Sequence, residues 1–193
     1  MMRLRDITAV SALGLVLACP VLAGEESGHG HREHGAHVHG AGDLNIAVDG
    51  NALLIELHGP AANIVGFEHP PRNATEEQAI ADARVKLADP ALTFLPNPEA
   101  GCRLTEVEVF MELAGEDTGH DHDHAHDHGG GGEVHSDAGV GYGFDCAAPD
   151  KLKSLELALF ETFPGNGRLR VQLITPDTQR SVELTADDDV LEL

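Results

Sequence analysis

Most histidines of this chain fall into two dense tracts, and their type and spacing suit metal binding. The chain has 193 residues and 13 His, of which eleven lie in these tracts. The first tract contains His29, His31, His34, His37 and His39, and the second contains His120, His122, His124, His126, His128 and His135. Imidazole is a neutral nitrogen donor near pH 7 and a common ligand for Zn, Cu and Ni ions. We therefore expect the protein to capture metal ions through histidine.

The second tract alternates His with Asp and Ala from residue 120 to residue 128. In an extended chain, histidines spaced by two share one side, so neighbouring pairs can chelate an ion. A pH-sensing tract and a low-complexity spacer are the alternative interpretations, but a spacer has no need of His. Because little in residues 114–138 can be buried, we expect a disordered insertion that binds several ions weakly.

The first tract adjoins a predicted strand, which favours a sharper site. His37 and His39 flank Val38, so a strand would present both rings on one face. A tetrahedral zinc site needs four ligands, and His69 is the best distant candidate because Pro70 biases it to an extended backbone. Glu68 is a candidate oxygen ligand or a hydrogen-bonding partner of a ligand. His58, at the end of a predicted strand, is interpreted as a residue of the sheet surface.

The charge balance excludes some partners. Acidic residues number 33 against 12 basic ones, and the formal net charge is −21. Nucleic-acid backbones and anionic membrane surfaces are both recognised through Lys and Arg, so neither partner is expected. Apolar residues make up 41% of the chain, which is enough for a folded domain.

The amino terminus has the pattern of an export signal. Arg3 and Arg5 precede an apolar run over residues 7–18, which is too short to span a bilayer. Val21-Leu22-Ala23 gives a cleavage site, so residues 1–23 are predicted to be a signal peptide and the mature chain to have no transmembrane helix. An alternative is lipoprotein processing at Cys19. Both interpretations place the mature protein outside the cytoplasm.

The domain organisation and the cysteine count follow from this cleavage. Residues 24–35 are predicted to form a mobile arm that contains histidine, and residues 36–193 are predicted to form a single β-rich domain that binds zinc. Loss of Cys19 leaves Cys102 and Cys146, which an oxidising compartment should join. In the chain-entropy model, closing this loop of about 45 residues stabilises the fold by roughly 4 kcal/mol. We also expect this disulfide to clamp the strands at the base of the insertion.

Hydrophobic alternation predicts most of the fold. Leu44, Ile46 and Val48 alternate with other residues, as do Leu53, Ile55 and Leu57, and Asp49-Gly50-Asn51 joins these two runs as a hairpin. Further strands are predicted around Leu104 to Val109, where the alternation shifts at Thr105-Glu106, and around Tyr142-Phe144, Ser154 to Leu159, Leu169 to Leu173, and Val182 to Leu184. For Ser154 to Leu159, a short helix is the alternative.

One helix is clear. Thr75-Glu76-Glu77-Gln78 has the form of a capping box, with Thr75 as the cap, and Asp89-Pro90 should stop the helix. Ile80, Ala83 and Leu87 would form its apolar face. The fold class is therefore α+β, a mostly antiparallel β-sheet with one clear helix, interrupted by the His/Asp-rich loop.

Three segments together resemble a known family. They are His34-Gly35-Ala36-His37-x-His39-Gly40, the run from Pro60-Ala61-Ala62-Asn63 to Phe67-Glu68-His69, and Phe160-x-x-Phe163-Pro164-Gly165. They are similar to the ZrgA family of bacterial periplasmic zinc-uptake proteins. The resemblance implies zinc as the metal, a zinc ABC importer as a partner, and ligation by His34, His37 and His39, with His69 added.

Two other functions fit parts of the pattern. Histidine sites also bind Ni and Cu tightly, so a storage or detoxification protein for these ions is one alternative. A zinc hydrolase is the other, with Glu68 as its base, but the sequence contains no His-Glu-x-x-His motif. We therefore expect a zinc-binding protein that is not an enzyme.

Overall fold

The computed structural model describes residues 38–113 and 136–193. The predicted signal peptide, the arm, His34, His37 and the histidines of the second tract lie outside the described residues. Their predicted roles are therefore not tested by the fold.

The predicted hairpin is confirmed. Strand β1 (Ala41–Asp49) pairs antiparallel with β2 (Ala52–Pro60), with Ile46 opposite Ile55 and Leu44 opposite Leu57. These four side chains are buried on one face, whereas the residues between them face outward. The period of two in the sequence therefore produces a sheet with one apolar face.

The described strands form two sheets. The strands after the hairpin are β3 (Leu95–Pro96), β4 (Cys102–Glu112), β5 (Asp137–Cys146), β6 (Ser154–Glu156), β7 (Arg168–Ile174), β8 (Gln179–Thr185) and β9 (Val190–Glu192). The large sheet has the order β4-β5-β2-β1-β7-β8, and the small sheet has the order β3-β6-β9. In the large sheet β1 and β7 run parallel, and the other neighbours are antiparallel. The predicted α+β class with a mostly antiparallel sheet is confirmed.

Strands β4 and β5 form the ladder that flanks the His-rich insertion. The register shifts between Leu104 and Glu106, where the sequence alternation also shifts. Asp137 pairs with Glu112 at the start of β5. The last two residues of the predicted insertion, Asp137 and Ala138, thus belong to the sheet, because backbone pairing with β4 holds them.

The predicted disulfide is present, but its expected position as a clamp is wrong. Cys102 and Cys146 are bonded and lie directly opposite each other in the β4–β5 ladder. The connection that carries the insertion leaves the opposite end of this ladder, after Glu112. Backbone hydrogen bonds between the two strands therefore close the base of the insertion, and the disulfide holds the far end.

The helices are α1 (Ala62–Val65), α2 (Ala74–Leu87) and α3 (Leu159–Thr162). Helix α2 is the predicted one; it buries Ala83 and Leu87 and stops before Asp89. Its predicted cap at Thr75 is wrong. Asn73 has an extended backbone, and its side chain accepts hydrogen bonds from the N–H groups of Thr75 and Glu76 at 3.0 and 3.1 Å. Asn73 is therefore the cap, and Thr75 already lies in the first turn.

The segment predicted as one strand from Ser154 to Leu159 is divided in the structure. Strand β6 ends at Glu156, and α3 begins at Leu159. Leu155, Leu157 and Leu159 are all fully buried, but the Leu159 N–H donates to the Thr93 carbonyl and not to a neighbouring strand. The alternating leucines thus reflect burial of three side chains and not one continuous ladder.

The buried apolar residues of the described ranges form one core on the inner face of the large sheet. Phe94 and Tyr142 meet edge to face there, with ring centroids 6.0 Å apart. The Tyr142 hydroxyl donates to the Leu87 carbonyl at the end of α2. Within the described residues, no helix has the length and apolar character needed to cross a bilayer.

Candidate metal centre

His39 lies just before β1 and contacts the loop between α1 and α2. Its Nε2 is 3.0 Å from Oε1 of Glu68. A carboxylate only accepts hydrogen bonds, so Nε2 carries the proton and Nδ1 of the neutral ring keeps a lone pair. The His39 side chain is 69% exposed, which leaves this lone pair open to an ion from solvent.

His69 lies on the same loop, next to Glu68, and its ring is fixed on two sides. Its Nδ1 is 2.9 Å from the carbonyl oxygen of Pro70, and its ring stacks on Phe67 with centroids 5.1 Å apart. Because the carbonyl can only accept, Nδ1 is the donor and Nε2 keeps the lone pair. A backbone carbonyl on the second ring nitrogen is typical of histidines that bind metals, since it fixes the tautomer and the ring orientation.

The loop that carries Glu68 and His69 is held by Ser136 and borders the Glu76 carboxylate. The Ser136 hydroxyl donates to the Glu68 carbonyl at 2.5 Å, and the Ser136 carbonyl accepts from the Ala61 N–H at 2.8 Å. At the α2 end of the loop, Oε2 of Glu76 lies 3.9 Å from Nδ1 of His69. A hydrogen bond from the Arg72 N–H holds the pKa of Glu76 below its ordinary value, so this carboxylate is anionic beside His69 at neutral pH.

The turn that carries His39 is anchored through the next residue. Gly40 has a φ of +81°, a backbone conformation that favours glycine. Its carbonyl accepts hydrogen bonds from the N–H groups of Gly167 and Arg168 at 2.8 and 2.9 Å. Its N–H donates to Oδ1 of Asn63 at 2.8 Å. The backbone beside His39 is therefore fixed against α1 and the start of β7.

Of the predicted ligands, the structure brings His39 and His69 to one loop, with Glu68 between them in contact with His39. Glu68 was predicted as an oxygen ligand or a partner of a ligand, and its carboxylate contacts His39, which is itself a predicted ligand. Among residues 38–113 and 136–193, no three or more His, Cys, Asp or Glu side chains are arranged to hold a metal ion. The other predicted ligands, His34 and His37, lie outside this part of the chain.

His58 faces a different neighbourhood. Its ring lies beside Phe110 on the outer face of the large sheet, with centroids 5.4 Å apart, and its Nε2 is 3.9 Å from Oδ2 of Asp137. The interpretation of His58 as a sheet-surface residue agrees with this location.

The described parts of the three resemblance segments meet at this centre. His39 and Gly40 end the first segment, Asn63 and Glu68 belong to the second, and the third leads into the turn that ends at Gly167. The model of the family described as ZrgA family zinc uptake proteins matches residues 36–193. The chain belongs to this ZrgA family. No curated protein matches the chain.

Membership of the ZrgA family supports a role in zinc uptake. The candidate histidines could be predicted from the sequence, but the residues that hold their backbone in place could not. Asn63 and Ser136 hydrogen-bond to the backbone of the two histidine-bearing segments and were missed as functional positions. For Asn63 one signal exists, because it is the only polar side chain in the run Ala61-Ala62-Asn63-Ile64-Val65.

Proposed function

We propose that this zinc uptake protein captures Zn²⁺ in the periplasm through His34, His37, His39 and His69 and supplies the ion to a zinc ABC importer. The observation that carries the proposal is the hydrogen bond between His39 and Glu68. It brings the end of the first histidine tract to the loop of His69, across 29 residues of sequence.

The hydrogen bonds of this centre suit metal binding. His39 offers Nδ1 and His69 offers Nε2, so each ring has one lone pair for an ion while its other nitrogen is held. The Glu68 carboxylate fixes the tautomer and orientation of the His39 ring and balances the charge of a bound cation. Because His39 is largely exposed, an ion can leave for a partner without unfolding the domain.

The second tract would act as a collector of lower affinity. Each residue that such a segment orders on binding costs roughly 1–2 kcal/mol in backbone entropy, whereas the His69 loop is already ordered. The proposal therefore assigns one tight ion to the first centre and weaker ions to His120, His122, His124, His126, His128 and His135.

The compartment is proposed from the export signal together with the disulfide. Cys102 and Cys146 are bonded, and such bonds persist in oxidising compartments such as the periplasm. In the reducing cytosol they are rare.

Native mass spectrometry of protein taken from the periplasm of zinc-limited cells tests the proposal. We expect a tightly held zinc ion that is lost in His39→Ala and in His69→Ala. His58→Ala is the matched control, since it removes an imidazole from the sheet surface, and it should keep the ion. Retention of the tight ion in both site variants would overturn the assignment. Nickel or copper in place of zinc would favour the storage or detoxification alternative.

A further inference from the structure

Asn63 is a buried polar side chain that hydrogen-bonds to the backbone next to His39. It lies in the short helix α1 and is 4% exposed. Its Oδ1 accepts from the Gly40 N–H at 2.8 Å, and its Nδ2 donates to the Ala41 carbonyl at 3.0 Å. The amide thus satisfies one donor and one acceptor of the turn that leads into β1, as a neighbouring strand would.

The Gly40 N–H belongs to the peptide bond that joins His39 to Gly40. A hydrogen bond to this N–H fixes the plane of that peptide bond and so the direction in which the His39 side chain leaves the backbone. On the other side, the Gly40 carbonyl is held by Gly167 and Arg168. With Asn63 bound to its N–H and with Gly167 and Arg168 bound to its carbonyl, Gly40 is hydrogen-bonded at both of its backbone polar groups.

Asn63 is itself held by the turn at residues 163–167. Its Nδ2 also lies 3.3 Å from Oδ1 of Asn166, another buried side chain. Gly165 packs directly on the Asn63 backbone, and a Cβ at Gly165 would lie 2.4 Å from the Asn63 carbonyl oxygen. The Gly165 contact fixes the backbone of Asn63, and the hydrogen bonds to Gly40, Ala41 and Asn166 fix the direction of its amide.

We propose that Asn63 is a positioning residue of the zinc centre, which raises zinc affinity by fixing His39 against the loop of Glu68 and His69. This inference rests on the proposed function. Asn63 is buried and its amide hydrogen-bonds to the backbone of Gly40 and Ala41, so we assign it no contact with the ion and a role only through His39. Loss of a group that orients a metal ligand typically weakens metal affinity about 10- to 100-fold.

A buried asparagine can also serve the fold alone, and a double-mutant cycle separates the two roles. The test uses the full mature chain and measures the dissociation constant of the tightest zinc ion by competition with a chromophoric chelator. Four proteins are compared: the parent chain, Asn63→Ala, His39→Ala, and the double variant. Urea unfolding of the same four proteins without metal gives their stability.

Asn97→Ala is the matched control. The Asn97 amide also joins two segments, because its Oδ1 accepts from Lys153 and Ser154 N–H groups and its Nδ2 donates to the Lys151 carbonyl. It lies beside the small sheet, and these partners belong to residues 151–154, not to the segments that carry His39 and His69. This variant should lose stability and keep the zinc dissociation constant of the parent.

We expect Asn63→Ala to raise the dissociation constant about 10- to 100-fold in the parent chain. In the His39→Ala background the tightest remaining ion is a weaker one held by the other histidines, and Asn63→Ala should leave its dissociation constant unchanged. Equal effects in both backgrounds, or no effect in the parent, would overturn the positioning role. A His39→Ala variant that binds zinc as tightly as the parent would instead overturn the proposed site. If Asn63→Ala does not fold, Asn166→Ala replaces it in the cycle, with the same pattern expected and the same outcomes decisive.

Discussion

Cys102 faces Cys146 at one end of the β4–β5 ladder, while Glu112 faces Asp137 at the other end, where the His-rich connection departs. The disulfide and the insertion therefore act on opposite ends of the same strand pair. The disulfide fixes one end of β4, the edge strand of the large sheet. The hydrogen-bonded length of the β4–β5 ladder lies between the disulfide and the connection that carries the second histidine tract.

This separation predicts that the disulfide affects stability without affecting zinc. Replacing both cysteines by serine should lower the free energy of unfolding by up to about 4 kcal/mol, the chain-entropy value for a loop of this size. The dissociation constant of the tight zinc ion should stay the same. Urea unfolding and chelator competition measure the two quantities. Intact masses of the parent before and after reduction should differ by two hydrogens. A large loss of zinc affinity in the serine variant would contradict the separation.

The second prediction concerns removal of residues 119–128. Because the β4–β5 ladder closes through Glu112 and Asp137, this deletion should leave the sheet intact. Calorimetric zinc titration should show loss of the weaker ions and retention of the tight one. A variant of full length with Asn in place of the five histidines between residues 120 and 128 is the control for chain length, and it should behave like the deletion. Loss of the tight ion in either variant would refute the two classes of site.

The third prediction concerns pH. Metal ligation requires neutral imidazole, and an unperturbed imidazole gains a proton near pH 6.5, so acidification weakens every histidine site. Protons and metal ions compete for the same imidazole nitrogens, and a weakly bound ion is displaced more easily. The second tract should therefore release its ions first as the pH falls from about 7.5 to 5.5. Calorimetry at both pH values tests this order. A double variant, His37→Ala with His39→Ala, should lack the tight ion throughout, and simultaneous release of all ions from the parent would contradict the prediction.

The fourth prediction uses the only tyrosine of the chain as a reporter of the core. Burial raises the pKa of Tyr142 to about 12, although a hydrogen bond with Thr93 opposes this shift. The unfolded chain ionises this phenol near pH 10, so the folded state loses stability as the pH rises from about 10 to about 12. Phenolate absorbance should therefore appear only near pH 12 or together with alkaline unfolding. Tyr142→Phe should show no such absorbance, and ionisation near pH 10 in the folded protein would rule out burial of the hydroxyl.

The fifth prediction distinguishes the two candidate caps of α2. Asn73→Ala removes the side chain that accepts from Thr75 and Glu76, so it should lower the free energy of unfolding by about 1 kcal/mol. Thr75→Ala should have a smaller effect, because Thr75 lies inside the helix. Urea unfolding of both variants decides the matter, and a larger loss in Thr75→Ala would support the cap that the sequence pattern favours.

Local sequence patterns predicted which strands and helices form better than they predicted the residues at which these begin and end. The β1–β2 hairpin follows from alternation and turn residues that lie next to each other in sequence. The cap of α2 does not follow from the sequence, because two pairs of residues fit the capping-box pattern. One pair is Asn73 with Glu76, and the other, two residues later, is Thr75 with Gln78. The extended backbone at Asn73 and the Arg72 N–H on Glu76 decide between them, and neither is visible in the residue types.

Contacts between segments that are distant in the sequence could not be predicted from the sequence alone. His39 was predicted as a ligand from residue type and spacing, His69 from its place before Pro70, and Glu68 as an oxygen ligand or a partner of a ligand. Nothing local to Asn63 indicates that its amide meets Gly40, because that contact requires α1, β1 and β7 to be in place. The parallel pairing of β1 with β7 was likewise not predicted, since hydrophobic alternation identifies a strand without identifying its neighbour.

The position of β1 between β2 and β7 imposes an order on assembly. A chain that emerges from its amino end can form the β1–β2 hairpin early, but the other edge of β1 stays open until residues 168–174 have emerged. Gly167 and Arg168, whose N–H groups donate to the Gly40 carbonyl, emerge together with this segment. A half-made chain therefore carries His39 and His69 without the backbone contacts that fix the turn beside His39, and the proposed tight site can be complete only after residues 167–174 have emerged.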